Sequence, residues 1–113
     1  MNIGREPMTK TDPFDLLHVM QKVEEHPTQK SLADEVGYSV GKVNYILKAL
    51  TEKGFIKIEN FIKSDNKKGY RYLLTREGIL EKVALTEAYI EIKKNEYKAL
   101  KKSLEEDKRK LDS

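Results

Sequence analysis

Residues 29–47 read QKSLADEVGYSVGKVNYIL, two short amphipathic segments that meet at Gly37 with no residue to spare. That spacing is a moderately specific signal. Ala33 falls where two helices must touch closely, Gly37 where a turn needs a positive φ, and Val43 and Ile46 where the second helix must face inward. These are the demands of a helix-turn-helix. Small residues and glycines are common in helical chains, so the flanking sequence has to decide between this fold and an ordinary helical pair.

Upstream, residues 1–11 have mixed polarity and no period, and are expected to form a flexible N-terminal arm. Asp12 can cap a first helix, Pro13 suits its first turn, and Phe14, Leu17, Met20 and Val23 recur every three residues as an inward stripe. Pro27 stops that helix. Thr28 caps a second, running to about Val36 with Leu32, Ala33 and Val36 buried. After a turn at Gly37 and Tyr38, Ser39 caps a third whose Val43, Ile46, Leu47 and Leu50 face the core and whose end is marked by Lys53 and Gly54.

After Gly54 the pattern changes. Phe55 to Ile62 and Tyr70 to Leu74 are rich in β-branched and aromatic residues, and the polar run Lys63 to Gly69 separates them as a turn. A helix-turn-helix followed at once by a hairpin of this size is the winged-helix order, far more specific than either half alone. Phe55, Phe61, Tyr70 and Tyr72, alternating on short strands beside an apolar helix, are expected in the core.

Thr75 caps the last helix, and no proline, and no glycine after Gly78, interrupts it to about Leu111; it should be on the order of 50 Å long. Positions 79, 83, 86, 90, 93, 97, 100, 104, 107 and 111 step alternately by four and three, and seven of these ten are apolar or aromatic, enough for a coiled-coil seam. Ile79, Val83, Ile90, Tyr97, Leu100 and Leu104 are therefore candidate dimerisation residues, with Thr86, Lys93 and Asp107 weakening the row. In a parallel pair Lys82 would face Glu87 of the partner subunit, and Glu96 would face Lys101 of the partner subunit. The competing expectation is a single helix that folds back on its own domain or projects freely.

The overall expectation is a mainly α chain with a small β-hairpin: a winged helix-turn-helix domain at 12–75 followed by a long C-terminal coiled-coil helix at 76–113. At 113 residues the chain is long enough for one domain with a modest core plus one appendage. The formal charge of +3 is unevenly placed: residues 1–37 carry four Lys/Arg against seven Asp/Glu, residues 38–76 nine against three, and residues 77–113 nine against nine. A basic block confined to the helix-turn-helix and hairpin is the electrostatic footprint of a nucleic-acid binder. Duplex DNA is the expected partner.

A third helix entering the major groove would offer Ser39, Val40, Gly41, Lys42, Asn44, Tyr45 and Lys48. Asn44 has the amide to read an adenine edge, and Lys42 and Lys48 the charge for phosphate or guanine. Gly41 permits close approach, and Ser39 with the free amides beside it suits a phosphate. Tyr45 can bond to phosphate or pack on the hairpin. At the hairpin, Lys63, Asn66, Lys67, Lys68 and Arg71 could follow the minor groove, with Gly69 allowing a tight reversal; lysines there also discourage edge-to-edge aggregation.

Other function classes find little footing. His18 and His26 are the only histidines, lack a nearby acid pair at metal-ligand spacing, and are expected in surface or capping roles. No phosphate loop or nucleophile elbow occurs, so neither an enzyme nor a cofactor is expected. Without cysteine the chain can form neither disulfides nor thiolate metal sites. With no secretory core in MNIGREPMTKTDP and no membrane-length apolar run, a cytoplasmic location is expected.

The run SLADEVGYSVGKVNYILKALTEKGFIKIENF, followed by YLLTREGILEK, resembles the MarR family of winged-helix bacterial transcription regulators. GKVNYILKALTEKG and LLTREGI, with the long charged tail, are most similar to the subgroup associated with exopolysaccharide biosynthesis clusters. The resemblance spans roughly residues 12 to 112. It implies a homodimer on a pseudo-palindromic site, with the third helix in the major groove and the wing at the minor groove. Ser39, Gly41, Lys42, Asn44, Tyr45 and Lys48 would then be reading-helix positions, and Lys67 and Lys68 wing-tip positions. The chain is shorter than the larger MarR proteins, with less sequence before its first helix, so dimerisation would fall on the tail. No cluster specifies the phenolic-ligand pocket of many relatives, and the effector stays unassigned. The expected function is a dimeric, sequence-specific DNA-binding regulator. The competing one is a winged-helix protein–protein interaction module with coiled-coil oligomerisation and no specific DNA target.

Overall fold

Local hydrogen bonds set the helix boundaries in a computed structural model of the chain, which describes residues 12–26, 28–62 and 68–113, and at positions 61 and 68 the backbone alone. The expected arm at 1–11, Pro27, and Lys63 to Lys67 lie outside the described residues. Helix α1 is Pro13–Lys22; Asp12 Oδ1 accepts from the Phe14 amide at 2.7 Å, and the Asp12 amide donates to Asp15 Oδ2 at 3.2 Å, closing a capping box. Helix α2 is Gln29–Val36, capped by the Thr28 hydroxyl. It ends at Gly37, whose φ of 80° turns the chain so that the following Tyr38 amide donates back to the Ala33 carbonyl at 3.1 Å. Helix α3, Val40–Glu52, starts at the Ser39 hydroxyl.

Strands β1 (Ile56–Ile62) and β2 (Lys68–Leu74) form an antiparallel hairpin in register from Ile56↔Leu74 to Ile62↔Lys68. The second strand begins at Lys68 rather than Tyr70, because Gly69 pairs with Phe61 instead of turning the chain. Ile56, Ile58 and Ile62 share a face with Tyr70, Tyr72 and Leu74. Ile56 and Tyr72 are buried at its base, whereas Ile58, Ile62 and Tyr70 are exposed as the hairpin leaves the core. The core expectation therefore holds for Tyr72 and partly for Phe55, and fails for Tyr70, whose ring stands edge-on against Tyr72. The Phe61 side chain is outside what is described.

Val19, Met20 and Val23 meet Leu32 and Ala33 of α2 and Val43, Ile46, Leu47 and Leu50 of α3 in one core cluster, and Leu17 of α1 is fully buried beside it. Leu17, Leu32, Ile46 and Leu50 each contribute about 1.5–3 kcal/mol by leaving water. Val19, off the expected stripe, is buried because α1 touches all three other helices.

Helix α4, Arg76–Asp112, begins at Thr75, whose hydroxyl accepts from the Gly78 amide. Its first half lies across α1: Leu85 packs on the core, and the Tyr89 ring centroid is 5.0 Å from Phe14 and 5.5 Å from His18. From residue 91 onward every residue is exposed. The helix thus folds back on its own domain with its first half and extends beyond it with its second. That projection stretches the molecule to 72 × 39 × 27 Å.

Candidate nucleic-acid interface

With Val43, Ile46, Leu47 and Leu50 turned inward, helical geometry leaves Gly41, Tyr45, Lys48 and Glu52 as the outward line of α3, and all four are exposed. Ser39 and Val40 are exposed at its start, where the first amides carry the positive end of the helix dipole. The Ser39 hydroxyl is engaged by the Lys42 amide at 3.1 Å, so it serves the helix as a cap.

Two of the candidate residues flank this line. Asn44 is half-buried toward the hairpin and, with Gln29, Leu47, Lys48, Ile58 and Tyr72, lines a groove of about 520 Å³ between α3 and the strands. An amide there lies beside the hairpin, so a groove reader would use both elements together. Lys42 is half-buried on the opposite flank, toward α1. Its Nζ lies 3.1 Å from Asp15 Oδ2 and 4.1 Å from the centroid of the Tyr38 ring.

Sequence reasoning missed the cluster to which Lys42 belongs. The Tyr38 hydroxyl donates to Asp15 Oδ1 at 2.7 Å and lies 2.9 Å from His18 Nδ1. Its single proton goes to the carboxylate, so His18 Nδ1 carries a hydrogen and donates to the phenol oxygen. Burial works against the charge of Asp15, but the hydrogen bond from Tyr38 and the Lys42 ammonium outweigh it and hold the carboxyl below its ordinary range. Burial and the Asp15 carboxylate push the Tyr38 phenol well above its ordinary value. His18, expected in a surface or capping role, is a half-buried member of this cluster because Tyr89 of α4 covers it edge-on. The available signal was Asp15 and His18 three residues apart on one helix face. His26 instead pairs with Glu35 at 3.2 Å, tying the end of the first helical segment to α2.

On the hairpin, Arg71 reaches across to Glu59, its partner in the strand register, with Nε 2.8 Å from Oε1. Alternation puts this pair on the face opposite the buried Tyr72. Lys63 and Lys67 lie outside the described residues, and Lys68 is placed only as the first residue of β2. Among the described residues no group of three or more acids and histidines could hold a metal, and no helix is long and apolar enough to cross a membrane.

Comparison with known proteins bears on the fold. A family described as winged helix-turn-helix DNA-binding matches residues 14–57. No curated protein matches the chain. Similar solved structures include a candidate transcriptional regulator from Thermoplasma acidophilum, 21% identical over 72% of this chain and 84% of that one, with a TM-score of 0.52. A point mutant of Staphylococcus aureus MepR is 20% identical over 81% of this chain and 67% of its own, with a TM-score of 0.55. Staphylococcus aureus MarR, solved with salicylate and kanamycin, is 18% identical over 72% of this chain, with a TM-score of 0.52. The chain spans only 54% of that MarR's length. At these identities the likeness is one of architecture, and with the helix order and hairpin already described it makes this chain a winged helix-turn-helix fold.

Proposed function

We propose that the chain is a sequence-specific double-stranded DNA-binding transcription regulator acting as a homodimer. The observation that carries this reading is the exposed line Gly41, Tyr45 and Lys48 on α3, set beside a hairpin within the most basic third of the chain. A helix offering a glycine, a phenol and an ammonium can lie close to base edges while neutralising phosphate. Ser39 and Asn44 complete the reading surface, and Lys63, Lys67, Lys68 and Arg71 belong to the wing.

The dimer would form along α4. Ile79, Val83, Ile90, Tyr97, Leu100 and Leu104 all stand exposed on its seam, and Leu100 is 71% exposed. At the inner end Ile79 and Val83 line a hollow of about 460 Å³ with Leu74, Lys82 and Thr86, which a second helix would cover. A two-fold pair would present two copies of α3 to a pseudo-palindromic site. The match of residues 14–57 to a winged helix-turn-helix DNA-binding family supports the partner class. The sequence resemblance to the exopolysaccharide-linked MarR subgroup nominates exopolysaccharide biosynthesis genes as targets. No catalytic step belongs to this reading.

Fluorescence anisotropy tests it, with the protein titrated into a duplex from its own upstream region and an unrelated duplex of equal length at two salt concentrations. Tighter, salt-sensitive binding to the upstream fragment is expected, because each neutralised phosphate releases counterions. Absence of binding to either duplex at low salt would transfer the reading to a protein-interaction module.

A further inference from the structure

We infer that Asp15 is a positioning residue that withholds Lys42 from DNA phosphates, so that α3 engages DNA without the charge of that lysine. This rests on the DNA-binding reading above. Lys42 is the third residue of α3, in the turn where a phosphate would approach the helix amides. Yet its ammonium points back toward α1, paired with Asp15 Oδ2 at 3.1 Å and lying over the Tyr38 ring. Both side chains of the pair are under a third exposed, at 27% for Lys42 and 19% for Asp15. A phosphate must displace both restraints to recruit this lysine.

The acceptor is itself held from several sides. Asp15 Oδ2 takes the Asp12 amide, and Oδ1 takes the Tyr38 hydroxyl, which in turn accepts from His18. His18 is backed by Tyr89 of α4. The carboxylate is therefore anchored by α1, by the turn before α3 and by the tail helix, and it cannot follow Lys42 outward without breaking that chain. Its negative charge, 3.1 Å from the ammonium, also opposes the attraction that ammonium would exert on a phosphate. Removing one partner of such a pair releases the other, which in this case is a cation at a helix start with a polyanion opposite.

The test is a two-residue cycle in the full chain: wild type, Asp15→Asn, Lys42→Met and the double variant, each titrated into the upstream duplex and a random duplex over a salt series. Thermal unfolding checks that each is folded. Asp15→Asn is expected to steepen the log K against log salt slope by about 0.9, the value of one phosphate contact. It should also tighten random-duplex binding several-fold at low salt. Lys42→Met should bind random duplex nearly as wild type does, and the double variant should return to the Lys42→Met slope. An unchanged slope in Asp15→Asn overturns the inference. Equal tightening by Asp15→Asn in the Lys42→Met background overturns it too, since the carboxylate would then act on DNA directly. If Asp15→Asn does not fold, Asp15→Ser removes the carboxylate while keeping an oxygen for the Asp12 amide, with the same two criteria. Loss of all wild-type binding at low salt would instead sink the DNA reading itself, a result distinct from binding with an unaltered slope.

Discussion

A methyl group added at position 78 would sit 1.9 Å from the carbonyl oxygen of Phe55 and 2.8 Å from its carbon, both of them backbone atoms. The approach is close because the Phe55 carbonyl also accepts from the Thr75 amide at 3.0 Å, drawing the first turn of α4 onto the end of the α3 connection. Gly78→Ala is expected to lower stability by about 1–3 kcal/mol through forced backbone displacement, despite alanine's better helix propensity. A urea midpoint equal to wild type would refute this contact. Asp15 carries a pH signature of its own. Its carboxyl titrates below the ordinary value in the folded chain, so its stabilisation is complete above the unfolded value of about 3.9 and is lost as pH falls through the folded one. The stability gap between wild type and Asp15→Asn, read from urea midpoints, should therefore be full near neutral pH and shrink in acid below about pH 4. A gap that stays constant into acid would deny the carboxylate this role.

Among the elements, those closed by local chemistry were legible in advance and those closed by distant contacts were not. Asp12, Thr28, Ser39 and Thr75 cap the helices as their sequence positions imply, because a side-chain oxygen and an amide two or three residues on need no third party. Strand β2 starts two residues before the position its composition predicts, since Gly69 reads as a turn residue until its pairing with Phe61 is known. Tyr70 and Tyr72 lie two residues apart on one strand face, yet only Tyr72 is buried, because the helices lie under the hairpin's base alone. The α4 seam is the element with most apolar surface left over. Ile90→Asp combined with Leu100→Asp is expected to convert the proposed dimer to a monomer by light scattering. An unchanged mass would remove the seam from the interface. Neither side chain is in the buried core, so domain stability should change little.

For the whole molecule, the charge division along the chain coincides with the winged helix: the basic third holds α3 and both strands. The amino-acid sequence alone determined the order of helices, the hairpin, the seam spacing on α4 and the outward line of α3, all of which follow from periodicity and capping within a few residues of chain. Only the tertiary structure decided that α1 is central to the helices, that α4 packs on it before projecting, and that Lys42 is held by Asp15 and Tyr38 rather than standing open. Those outcomes depend on which helix faces meet. A side chain such as Lys42, with a charge equally suited to phosphate and to carboxylate, takes whichever partner the packing of α1 against α3 brings within reach.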